Sequence, residues 1–131
     1  MEEVNVLQLI ADHLQLLGYT TQFDETGVAA RHNVRPYFRF YLIPGGIGFL
    51  FPFAVGKRAT EDRPGLLALL NAINAQNVVT RFYFDNDRLW VSAWYPRTYE
   101  RISFGTFFDL ISQEIATPRF KFPDQVKLYL E

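Results

Sequence analysis

The side chains that could carry chemistry in this sequence are few and scattered. His13 and His32 are the only histidines, and neither lies in an HExxH motif or beside a second ligand at metal-binding spacing. Ser92, Ser103 and Ser112 are the serines; none stands in a GxSxG elbow, and no histidine–acid pair is identifiable to activate one. The neighbouring carboxylates Asp24-Glu25 and Glu61-Asp62 read as surface or capping positions, where ordinary carboxylate titration is expected. Gly45-Gly46-Ile47-Gly48 has the glycine content of a phosphate cradle, yet no Lys-Ser or Lys-Thr follows and the chain continues as a strand where a P-loop needs a helix. Asp85-Asn86-Asp87 offers two carboxylates to a divalent cation but occupies a place where a hairpin needs turn formers. With no cysteine there is no disulfide framework, thiolate zinc site or thiol nucleophile. The expectation is no catalytic residue, no metal and no cofactor.

The elements around these residues must come from one modest chain. Its 131 residues, 49% hydrophobic and 21% charged, suit a single globular domain over 1–131, with a tail from about residue 119 less firmly ordered. Thirteen Phe, seven Tyr and two Trp make 17% of the sequence aromatic, more than one small core needs to hold. A formal net charge of -1 gives no global field to draw in a polyanion. Met1-Glu2-Glu3 is acidic where a signal peptide would be basic, and the longest apolar run, Ile47 to Val55, is far short of a membrane span. The chain therefore reads as cytoplasmic.

Apolar residues at Val4, Leu7, Ile10, Ala11, Leu14 and Leu17 predict a first helix with Gly18 as its C-cap. Two short extended pieces between Tyr19 and His32 flank a turn at Asp24-Glu25-Thr26-Gly27. A hairpin follows, with strands at about 36–43 and 48–55 and Gly45-Gly46 as central turn residues. That register pairs Leu42 with Phe49, Phe40 with Phe51 and Phe38 with Phe53 on one face. The other face pairs Tyr41 with Leu50, Arg39 with Pro52 and Tyr37 with Ala54. A second helix spans about Asp62 to Gln76, capped by Thr60 or Asp62, with Leu66, Leu69, Leu70 and Ile73 as its buried stripe. Beside the stripe runs a ladder of Asn71, Asn74 and Asn77, suited to capping neighbouring strands. The second hairpin, 79–84 and 88–95, turns at Asn86-Asp87 and pairs Phe84 with Leu89, Phe82 with Val91 and Thr80 with Ala93; Tyr83 with Trp90, Arg81 with Ser92 and Val79 with Trp94 share its opposite face. A third helix starts at Ser103, buries Phe104, Phe107, Phe108, Ile111 and Ile115, and stops at Pro118; Asp124 can begin a short helix in the tail.

Both hairpins thus divide into an apolar face and a mixed aromatic and basic one. Helices of an α+β fold can cover the first. The second would project Tyr37, Arg39, Tyr41, Arg81, Tyr83, Trp90 and Trp94, the residue mixture enriched at protein contact surfaces, unless the first helix or the tail folds over it. The same parts, with Arg97 nearby, could serve single-stranded nucleic acid, against which stand the net charge and the lack of an RNP1-like string. A small-ligand site is the remaining alternative.

The order helix, strands, helix, hairpin, helix, with Leu70-Asn71-Ala72-Ile73-Asn74 leading into Val78-Val79-Thr80-Arg81-Phe82-Tyr83, resembles the YbjN-type family of bacterial sensory-transduction regulators, itself similar in fold to type III secretion chaperones. The resemblance implies an α+β fold: a curved antiparallel sheet of two main hairpins with three flanking helices. It also implies a module, often a homodimer, that binds protein without enzymatic activity. The reading is a non-enzymatic, chaperone-like or regulatory domain whose partner is a protein or client segment. Nucleic acid and membrane are not its expected partners.

Overall fold

The computed structural model describes residues 2–131, with side chains from Val6 onward, so the Val4 side chain of the first helix's stripe lies outside what is described. Helix α1 (Glu2–Leu16) leads into β1 (Thr20–Asp24), β2 (Gly27–Arg31), β3 (Phe38–Ile43) and β4 (Gly46–Phe53). Helices α2 (Lys57–Glu61) and α3 (Arg63–Gln76) carry the chain to β5 (Thr80–Asp85) and β6 (Arg88–Tyr95), and α4 (Arg101–Ala116), α5 (Pro118–Lys121) and α6 (Pro123–Tyr129) close it. The six strands form one antiparallel sheet in the order β1-β2-β3-β4-β6-β5. The α+β expectation holds, with the extended pieces before His32 joining the sheet as a third hairpin. Three further short helices, α2, α5 and α6, supplement the three long ones.

Local chemistry explains the boundaries. Helix α1 ends in a Schellman arrangement: Gly18 takes φ +94, its N–H donates to the Gln15 carbonyl at 3.1 Å, and the Tyr19 N–H donates to the Leu14 carbonyl at 3.0 Å. Asp62 caps α3 by accepting from the Gly65 N–H at 3.1 Å, with Pro64 in the first turn, as the sequence suggests. The start of α4 is a correction. Glu100, not Ser103, is its N-cap, accepting from the Ile102 N–H at 2.6 Å and the Ser103 N–H at 3.2 Å, while the Ser103 hydroxyl also donates to Glu100. A Glu has the reach to cap but is not among the preferred capping residues, which is why Ser103 draws attention first.

The second hairpin has the expected register throughout its strands, because Asn86 and Asp87 both take positive φ, 52 and 58, as a type I′ turn requires. The first hairpin is displaced by two residues. Ile43 pairs with Gly46, Leu42 with Ile47, Phe40 with Phe49, Tyr41 with Gly48 and Arg39 with Leu50. Its central turn residues are Pro44 and Gly45, the proline ring fixing φ at the first and Gly45 supplying φ +78 at the second, a type II pattern that overrides the Gly-Gly signal. A shift of two leaves each side chain on its original face, since strand side chains alternate with period two.

The core lies on one side of the sheet. Leu7, Ile10 and Leu14 of α1, Leu66, Leu70 and Ile73 of α3, and Phe104, Phe108 and Ile111 of α4 form one buried cluster with Phe38, Phe40, Phe49, Phe51, Phe82 and Val91 of the strands. Its aromatic rings interlock: Phe49 meets the edge of Phe107 at 5.4 Å and Tyr95 meets Phe104 at 5.4 Å. The tail folds back on the same assembly. The Tyr129 carbonyl accepts from the Gly56 N–H at 2.9 Å and its hydroxyl donates to Asp62 at 2.6 Å, with Val126 and Tyr129 buried. A side chain at Gly65 would collide with the Tyr129 hydroxyl, so glycine is needed for this docking.

Edge strand β5 is closed off by side chains from two helices. Asn74 of α3 donates to the Phe82 carbonyl at 2.9 Å and accepts from the Phe82 N–H at 2.7 Å, while Asn77 donates to the Thr80 hydroxyl at 3.0 Å. Glu114 of α4 accepts from the N–H groups of Val78 at 2.7 Å and Thr80 at 2.9 Å and from the Thr80 hydroxyl at 2.6 Å. Two members of the asparagine ladder therefore do cap strand groups, and they blunt an edge that would otherwise be open to pairing.

Candidate functional site

The side of the sheet opposite the helices is built from Arg39 and Tyr41 of β3, Gly46, Gly48, Leu50 and Pro52 of β4, Arg81 and Tyr83 of β5, and Trp90, Ser92 and Trp94 of β6. Register assembles them in rows. Tyr41, Gly48 and Trp94 lie side by side, as do Arg39, Leu50, Ser92 and Arg81, and then Pro52, Trp90 and Tyr83. Six of the seven residues singled out in the sequence thus share one face, and Tyr37 stands just before β3 at its margin. Among the described residues neither α1 nor the tail covers them: the face's aromatic side chains take no part in the buried cluster, and Trp94 and Tyr83 are 51% and 40% exposed.

Glycines seat the rings. A side chain at Gly46 would collide with the Trp94 indole, and one at Gly48 would press on the Tyr41 ring, so each ring packs against bare backbone of β4. The alternation Gly46-Ile47-Gly48 is legible in sequence as two glycines on one face, but the overlying rings become apparent only once β4 is seen between Tyr41 and Trp94. The Trp90 indole donates to the Asp85 carbonyl at 3.0 Å, which fixes its orientation, and Arg31, not singled out in the sequence, lies 4.7 Å over the Tyr37 ring. Burial, reinforced by the neighbouring Tyr41 and Asp85, raises the Tyr83 pKa, so its hydroxyl stays protonated as a donor.

The basic residues divide into engaged and open. Arg39 donates to Asp24 at 2.9 Å and to the Thr26 hydroxyl at 2.8 Å, tying the face to the β1–β2 turn. That hydrogen bond, followed by those from the Thr26 N–H and hydroxyl, holds the Asp24 carboxyl well below the usual carboxylate range. Asp62 is lowered too, first by the Tyr129 hydroxyl and then by the Gly65 N–H, so both acids are shifted downward from the ordinary titration expected from sequence. Arg97 clamps the first hairpin's turn, donating to the Ile43 carbonyl at 2.6 Å and to the Gly46 carbonyl at 3.3 Å. Arg81 is exposed, and its guanidinium donates to the neighbouring Thr80 carbonyl at 2.9 Å.

Both histidines and Ser112 make structural contacts. His13 Nδ1 is 2.7 Å from the Tyr99 hydroxyl and the ring packs on Phe104; burial, then Arg101, lowers its pKa against the opposing pull of Asp109. His32 Nδ1 accepts from the N–H groups of Val34 and Arg35 at 3.0 and 3.1 Å. The Ser112 hydroxyl donates to the Phe108 carbonyl of its own helix. Among the described residues no three His, Cys, Asp or Glu side chains are grouped as a metal ion would need, and no helix is long and apolar enough to cross a membrane.

A six-stranded antiparallel sheet backed by helices on one side, with an uncovered aromatic face on the other, defines an open-faced α+β fold. Residues 6–102, more than half of the chain, match the YbjN family, described as "putative bacterial sensory transduction regulator", and the chain belongs to that family. The crystal structure of YbjN from E. coli, described there as a "putative transcription regulator", is 20% identical with a TM-score of 0.65, covering 95% of this chain and 96% of that one. At that identity the likeness is one of fold. No curated protein matches the sequence. The family is described by regulation and not by an enzymatic activity.

Proposed function

We propose that this chain is a non-enzymatic, cytoplasmic protein-binding module of regulatory or chaperone-like role, homodimeric, which binds a segment of another protein on its uncovered sheet face. The observation that carries this reading is the exposure of Trp94 and Tyr83 on a face where glycines seat Trp94 and Tyr41 and a backbone hydrogen bond holds Trp90. A partner laid across it gains roughly 25 cal/mol for each Å² of apolar surface removed from water, and pre-oriented aromatic rings lose little entropy on binding. Arg81, at the open side of the row running from Arg39, supplies charge for orientation and selectivity.

Two of the arginines available to a nucleic-acid reading, Arg39 and Arg97, are committed to Asp24 and to turn carbonyls, which favours protein as the partner. Sedimentation at tens of micromolar tests the dimer: the dimer mass is expected, and a monomer contradicts it. Salt-dependent retention of single-stranded RNA on the same protein would contradict the choice of partner class.

A further inference from the structure

On the helix side of the sheet, away from the aromatic face, a cavity of about 720 Å³ opens between the end of β4, the C-terminal half of α4 and the α5–α6 arch. Its size falls within the range of small-molecule sites, roughly 300–1,000 Å³. The walls are apolar: Phe51 and Phe53 of β4, Phe82 and Leu89 of the second hairpin, and Ile115 of α4. The ionisable residues lining it, apart from the Tyr19 hydroxyl, are two arginines, Arg35 and Arg119, with no carboxylate among the described lining residues. Arg35 lies beside the Tyr19 hydroxyl. Among the described residues Arg119 makes a long contact, 4.0 Å, with Glu131, between side chains 74% and 50% exposed. A pair so exposed contributes little and exchanges readily for a better anion. Phe120, beside Arg119 on α5, lines the same cavity yet is 83% exposed, leaving an apolar ring at the entrance.

We propose that this cavity binds an amphipathic carboxylate, its apolar chain against the Phe and Leu walls and its head group between Arg35 and Arg119. An apolar pocket with a small number of cations selects an anion-headed chain, because a cationic head would meet two guanidinium groups with no carboxylate among the described lining residues to receive it, and a neutral alcohol would forgo charge-assisted hydrogen bonds. The site does not share residues with the aromatic face, so its failure would leave the protein-binding reading standing.

Calorimetric titration of the full chain with decanoate, decanol and decyltrimethylammonium tests the assignment. Saturable one-to-one binding of decanoate is expected, with decanol weaker and the cation weakest. The double substitution Arg35→Glu with Arg119→Glu, both at exposed positions, should weaken decanoate binding by about tenfold or more. Trp94→Ala should leave it unchanged. Equal binding of all three probes, no binding of decanoate, or full retention by the double variant would each overturn the proposal.

Discussion

Asp24, Asp62 and His13 set the pH response of the fold at the level of single residues. The two acids have pKa values held below their ordinary 3.8, so the folded state keeps the charge that the unfolded chain surrenders first. Their contribution is present above the ordinary carboxylate value and disappears as pH falls through the lowered ones. His13 acts in a higher window. Its pKa lies below the ordinary 6.5, so between these two values the unfolded state binds more protons and stability rises with pH. Thermal unfolding followed between about pH 7 and pH 5 should therefore show a fall in midpoint that His13→Gln reduces; an unchanged slope in that variant would remove His13 from the account. Gly46→Ala makes a second residue-scale test, since the new methyl group displaces the Trp94 indole from its seat. The tryptophan emission should shift while the far-ultraviolet dichroism stays native. An unaltered spectrum would mean that Trp94 does not rest there.

At the scale of elements, β5 depends on its helical neighbours for closure. Removing the Asn74 side chain strands the N–H and carbonyl of buried Phe82, and removing Glu114 strands the N–H groups of Val78, Val79 and Thr80. Asn74→Ala and Glu114→Ala should each cost about 1–3 kcal/mol in chemical denaturation and open the edge to aggregation. Costs below about 0.5 kcal/mol would show that water replaces both caps without penalty. The hairpins show what pattern alone can and cannot settle. Asn86-Asp87 admits one reading because both positions take positive φ, so that register is readable from sequence. Gly45-Gly46 admits two, and the deciding fact is the locked φ of Pro44 one residue earlier. Face assignment survives the error, and with it the grouping of Arg39, Tyr41, Arg81, Tyr83, Trp90 and Trp94, because a displacement of two preserves alternation. The cap at Glu100 is local but made by a residue type that seldom caps, with a preferred capper, Ser103, standing three residues on, whereas the Asp62–Tyr129 tie depends on side-chain reach across the fold, for which local spacing holds no signal.

For the whole molecule, the two faces of the sheet should respond oppositely to loss of an aromatic ring. Phe49 is fully buried among Phe40, Phe104 and Phe107, so Phe49→Ala should destabilise by about 3–5 kcal/mol. Trp94→Ala, at a half-exposed position, should cost no more than about 1 kcal/mol. Comparable losses at both would make the outer face part of the core. The large aromatic share of the sequence is divided between these faces: the phenylalanines of β3 and β4 fill the inner side, while most of the tyrosine and tryptophan of the strands lies outside. The cavity under the α5–α6 arch was not foreseeable, because it depends on how the tail returns to α2 and α3. The most direct test of the outer face as a contact surface is quantitative affinity capture from the native cell with wild-type protein, Arg81→Glu and Trp94→Ala, each first shown to be folded. A defined set of proteins retained by wild type and lost from both variants is the expected result. Equal retention by all three would contradict it.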